Sequence, residues 1–207
     1  MQSFREFVDS LTEASVVAYG DMSSPEHYRS SIQKIGLDKY WKKVGSVMGY
    51  DFFATNGSSD EMFLLVDTKN PQASTYLENP TYSIICEIKV SSIDLSKIKF
   101  KNAIEIDSIY INPLYRLGKL GTEIYRLLVK LGFTVVSGSV QFLGARRLWA
   151  SMSKKMLVAV INIDTLEILE VDYKLEHGLN DFEYPKKYYS EYNFEYKKYR
   201  FVLKSIS

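Results

Sequence analysis

Between Ala103 and Val136 the spacing of the apolar residues changes twice, and this constrains the chain more than any other feature. Ala103–Ile111 is rich in isoleucine and alternates in part, as a strand does. Asn112-Pro113 ends it. A basic turn with two glycines follows, and then Leu120, Ile124, Leu127, Leu128 and Leu131 recur at helical spacing. Gly132 closes that helix, and FTVVSG reads as a short strand buried on both faces. Strand, helix and buried strand in this order predict a right-handed crossover whose two strands pair in parallel.

The rest of the chain is read around that unit. Residues 1–14 carry Phe4, Phe7, Val8 and Leu11 on one helical face. Ser23 or Ser24, Pro25 and Glu26 form a helix start, which predicts a helix ending at Gly36 and a second short one over about 38–47. Strands are expected at Tyr50–Ala54 and Glu61–Val66 around Asn56-Gly57, with Thr68–Pro80 as a polar connection. Further strands are expected at Tyr82–Val90, in MLVAVINI and LEILEVDY around Asp164-Thr165, and in FEYKKYRFVLKSI. A second helix over about 141–153 places Leu148, Trp149 and Met152 on one side, as core residues. The expected class is α/β or α+β, with a mixed, mostly antiparallel sheet of about six or seven strands flanked by helices.

With 207 residues, one domain with a sizeable core is the default. The formal net charge of +1 implies no general attraction to nucleic acid. Cys86, the single cysteine, excludes an internal disulfide and reads as a core residue. No apolar run is long enough to span a bilayer, and the N-terminus lacks a secretory h-region, so no membrane partner is expected. His27 and His177 have no metal-ligand spacing, so no metal is expected.

The turn at 116–121 is physically an anion site. The first amides of a helix lack internal partners, and the helix dipole adds positive potential there. Glycine permits close approach of a phosphate, and Arg116 and Lys119 add charge. The same geometry also serves as a plain strand-to-helix connector. Ile111, Pro113, Tyr115, Arg116 and Gly121 fall on a V-x-P-x-Y-R element followed by R/Q-x-x-G-x-G/A. Gln141, Gly144, Leu148 and Trp149 fall on a Gln-x-x-Gly/Ser-x-x-x-Leu/Ile-Trp pattern. On these residues the chain, over roughly 82–163, resembles the GNAT superfamily of N-acetyltransferases, in particular GNAT-like proteins encoded by tailed phages.

The resemblance implies a GNAT-like fold, acetyl-CoA as cofactor, and cofactor contacts at Tyr110, Ile111, Arg116, Leu117, Gly118, Lys119, Leu120 and Gly121. A backbone N–H at Tyr110 or Ile111 would polarise the thioester carbonyl. A carboxylate on the same strand, Glu105 or Asp107, would serve as the base; by the two-residue period these two share a face. The sequence departs from the family twice. Lys119 stands where the family turn has its central glycine, with Gly118 one place earlier, and no tyrosine occurs between 126 and 172 to act as general acid. A fold without cofactor is therefore the competing expectation.

Two terminal segments carry readings of their own. In MQSFREFVDSLTEA, Phe4, Glu6 and Phe7 and then Leu11-Thr12-Glu13 resemble the capsid-targeting peptides of internal head proteins of T-even-like phages. That resemblance implies cleavage by a prohead protease between Glu13 and Ala14, leaving residues 14–207 as one domain. A plain amphipathic N-terminal helix is the competing expectation. Near the C-terminus Tyr184, Tyr188, Tyr192 and Tyr196 recur among lysines. That pattern suits base stacking, but Glu183, Glu191 and Glu195 dilute the charge, and packing is the favoured expectation.

Taken together these readings point to a phage N-acetyltransferase acting on an unidentified host or phage amine. It would be packaged in the virion interior and delivered to the host cytoplasm. The alternative is an inactive GNAT-fold protein that blocks a host factor, or an internal head protein.

Overall fold

A computed structural model describes residues 31–55, 61–72, 80–115, 119–139, 143–171 and 198–203. The targeting peptide with Glu13 and Ala14, the cap at 23–26, Asn56-Gly57, both histidines, Gln141 and the tyrosine-rich stretch at 184–196 lie outside them. Ten strands and three helices are found among the described residues. The strands are β1 (Ser31–Gln33), β2 (Trp41–Val47), β3 (Tyr50–Thr55), β4 (Glu61–Gln72), β5 (Thr81–Ser92), β6 (Ala103–Ile111), β7 (Thr134–Val136), β8 (Val158–Asn162), β9 (Glu167–Glu170) and β10 (Tyr199–Leu203). The helices are α1 (Lys34–Tyr40), α2 (Leu120–Lys130) and α3 (Leu143–Ser153).

All ten strands form one mixed sheet in the order β2-β3-β4-β5-β6-β7-β10-β8-β9, with β1 pairing one end of β5. Every pairing is antiparallel except β6 with β7, which is parallel, as the crossover predicts. The strand count exceeds the expected six or seven. Ser31–Gln33 and Trp41–Val47 are strands where helices were expected, the helix between them begins at Lys34, and Gly36 lies inside it. The cause is local. Trp41, Val44 and Val47 imitate helical spacing because β2 contains a bulge at Val44, which breaks the two-residue alternation. Likewise β4 runs on to Gln72 instead of ending before Thr68. Its irregular stretch is held by Asp67, whose carboxylate accepts the Lys69 and Asn70 backbone N–H groups.

The sheet has two differently covered faces. On one, Phe52, Phe63, Leu65, Ile88, Ile106 and Ile109 pack under α2 and α3. Tyr125 of α2 meets Trp149 of α3 edge-on at 5.8 Å, and Trp149 meets Phe201 of β10 at 5.7 Å. Leu148, Trp149 and Met152 are buried as expected, and so is Cys86. At the far side of this face α2 approaches β2 so closely that a Cβ on Gly45 would sit 3.1 Å from the Leu127 side chain. On the other face Leu37 and Trp41 cover Phe53, Leu64 and Val66, while Leu95 and Phe100 cover Val136, Ile161 and Val202. The described residues contain no helix long and apolar enough to cross a membrane.

Candidate functional site

The central feature is that β7 ends while β6 runs on. Their parallel pairing covers only Ala103, Ile104 and Glu105 against Thr134, Val135 and Val136. Beyond Glu105, β6 continues to Ile111 with β5 on one side and no described strand on the other. The register fixes which amides face that open side. Asn112 N–H donates to the Ile85 carbonyl at 2.8 Å, which makes Cys86–Ile111 a non-hydrogen-bonded pair and Glu87–Tyr110 a hydrogen-bonded one. The Tyr110 amide therefore points into the sheet, and the Ile109 and Ile111 amides point towards the opening. Of the two donors expected from sequence, the structure directs Ile111 at the opening and turns Tyr110 away from it.

The helix α2 starts beside this opening. Arg116, Leu117 and Gly118 lie outside the described residues. Lys119 is exposed and is the N-cap of α2, with φ +79°, a left-handed conformation that glycine adopts freely and lysine does not. The lysine thus has a glycine-type backbone, and its side chain is solvent-exposed rather than packed into the fold. Leu120 and Gly121 are buried in the first turn. Thr122, the third helical residue, is 2% exposed, and among the described residues its Oγ1 has no hydrogen-bond partner.

The left-handed lysine carries a testable consequence. Left-handed backbone costs a side-chain-bearing residue about 1–2 kcal/mol, and glycine returns about 0.5–1 kcal/mol of that as unfolded-chain entropy. Lys119→Gly should raise the melting temperature by about 2–4 °C, whereas Lys119→Ala should not. Scanning calorimetry of the three proteins decides it; a Lys119→Gly melting temperature below that of the native chain would show that the strain is absent.

The carboxylates are placed less simply than the two-residue period suggests. Glu105 binds Arg200 of β10, with Nε 2.9 Å from Oε1, in a largely buried pair that reaches across β7. Asp107 is the unmatched residue of a bulge, since Lys89 pairs with Ser108 and Val90 with Ile106. It is exposed and accepts the Ser91 hydroxyl at 2.7 Å. Ser91 stands directly opposite Glu105, so the bulge leaves Asp107 on the same face as Glu105. Sequence reading missed Glu87, a carboxylate inside the apolar run IICEIKV. It is 3% exposed and stands directly opposite Tyr110. The signal was an acidic residue within an otherwise buried strand. Burial and the neighbouring Glu87 push the Cys86 thiol well up, so it is not a nucleophile at neutral pH. Burial, with Cys86 alongside, pushes the Tyr125 phenol up, so it is a very weak acid.

No family model, curated protein or solved structure matches the chain. Its function is argued from the site alone. Among the described residues no cluster of His, Cys, Asp and Glu is suited to a metal ion.

Proposed function

We propose that the chain is an N-acetyltransferase that uses acetyl-CoA. The observation that carries this reading is the edge of β6 beyond Glu105 that no described strand pairs, with the Ile111 amide directed to that open side. Several features suit an anionic thioester. The first α2 amides lack helical partners, the Thr122 hydroxyl is buried with no described partner, and Lys119 adds a cation. Lys119, Leu120, Gly121 and Thr122 would hold the diphosphate, together with Arg116 on the strength of the sequence. When bound, acetyl-CoA supplies the activated acetyl group that passes to an amine.

The chain's own groups then divide the work. The Ile111 N–H is oriented to donate to an oxyanion that develops in the opening. Glu87, opposite Tyr110 on the face away from α2, would be the group that accepts the amine's proton. Glu105 is engaged by Arg200 and holds strands together instead. Titration calorimetry with acetyl-CoA tests the reading. Binding with a micromolar Kd that weakens at least tenfold in Arg116→Ala is expected; no heat at millimolar cofactor would overturn it.

A second reading, a silent fold that blocks a host factor, is favoured by the lysine at the glycine position and by the lack of any tyrosine between 126 and 172 to act as the acid. It predicts the null calorimetric result. Packaging in a phage head rests on the first fourteen residues alone. Mass spectrometry of purified virions should find a chain starting at Ala14, and full-length chain confined to the lysate would remove the idea.

A further inference from the structure

We infer that the end of the sheet opposite the candidate site is a docking surface for the phosphate backbone of duplex nucleic acid. This is independent of the acetyl-transfer reading. Three described turns meet at that end, because β6, β7 and β8 all begin there: residues 93–102 before β6, 131–133 before β7 and 154–157 before β8. The first is tied to the start of β7: Thr134 N–H donates to the Asn102 carbonyl at 3.1 Å, and Thr134 Oγ1 donates to the Lys101 carbonyl at 2.9 Å. Lys97, Lys99, Lys101, Lys130, Lys154 and Lys155 stand on or next to these turns, and all six are exposed. None makes an ion pair among the described residues. The three turns carry one acid, Asp94, near Lys97.

This is a strong local excess in a chain whose formal net charge is +1. Helix dipoles account for cations at 130, 154 and 155, which stand at or just past the C-terminal ends of α2 and α3. They do not account for 101, and 97 and 99 end only the single 3₁₀ turn Ser96–Ile98, too short to carry a sizeable dipole; all three lie by the Leu95–Phe100 cluster on the other face of the sheet. Lys99 moreover holds φ +64°, where glycine or asparagine would be easier. The lysines therefore span both faces of one end as flexible point charges. Among these turns Phe100 is buried and Phe133 half-buried, so no fully exposed ring is offered for base stacking. Cations without a stacking ring fit a duplex backbone, which presents about one charge per 1.7 Å, better than a single strand.

Fluorescence anisotropy with a labelled mixed-sequence DNA duplex tests this. The native chain should bind at low salt with a Kd of about 1–100 μM, and the logarithm of affinity should fall against log salt with a slope approaching about −5. Lys97→Gln/Lys99→Asn/Lys101→Gln should roughly halve that slope and leave the circular dichroism spectrum unchanged; asparagine suits the left-handed position. Lys154→Gln/Lys155→Gln should lower it by about 2. The inference is overturned if the duplex does not bind at low salt or if both variants bind as the native chain does. It is equally overturned if phosphatidylserine vesicles bind while the duplex does not.

Discussion

Replacing Trp149 with alanine will lower the unfolding free energy by about 3–5 kcal/mol, a large share of the roughly 5–15 kcal/mol that holds a domain together. The indole is 1% exposed and lies between three elements that are distant in sequence. It touches the Tyr125 ring of α2 on one side and the Phe201 ring of β10 on the other, from its own place on α3. Alanine would leave a cavity lined by rigid helices and strands that cannot collapse together, and it would remove two ring contacts worth about 0.5–1.5 kcal/mol each. In urea, with a slope near 2 kcal/mol per molar, the midpoint should fall by roughly 2 M. Trp149→Phe keeps most of the volume and should lose less than half as much. A drop below about 1 kcal/mol for Trp149→Ala would mean that α2, α3 and β10 do not meet at this residue. The same ring contacts position α2, so the proposed binding of acetyl-CoA should weaken in the alanine variant even where it remains folded.

Breaking the Glu105–Arg200 pair should cost about 2–3 kcal/mol through either partner, a little less than for a fully buried pair because Glu105 retains some exposure. Arg200→Met strands a carboxylate on the covered face of the sheet, and Glu105→Gln removes the charge that faces Arg200 Nε while Nη1 still donates to the Tyr199 carbonyl. The double variant Glu105→Leu/Arg200→Met strands no charge and fits the apolar cluster of Ala103, Val136 and Val202 beside it. It should recover most of the loss. Urea melts of the native chain, Glu105→Leu, Arg200→Met and Glu105→Leu/Arg200→Met form a double-mutant cycle, with an expected coupling of about 1.5–3 kcal/mol. A stability change within 0.5 kcal/mol for Glu105→Gln, accompanied by loss of acetyl transfer, would return Glu105 to the role of base that its strand position suggested.

The core of the fold was legible because its periods are long and unbroken. Ala103–Ile111 came out as a strand with the same ends, and Leu120–Lys130 as a helix within a residue. Their parallel partner followed from chain connectivity and handedness alone. Where a bulge intervenes, the period misleads. Val44 made a strand resemble a helix. A bulge depends on what the neighbouring strand does, and local spacing does not contain that information.

By itself, then, the sequence determined the strand–helix–strand unit, the buried tryptophan and cysteine, and a cationic turn at the start of α2, because each follows from residues close together along the chain. Tertiary structure alone decided that β10 enters between β7 and β8, that Arg200 claims Glu105 across β7, and that Glu87 faces Tyr110. It also decided which amide faces the opening. These outcomes rest on pairings between segments far apart in sequence, whose register is chosen by the burial of a whole sheet face rather than by any one segment's preference.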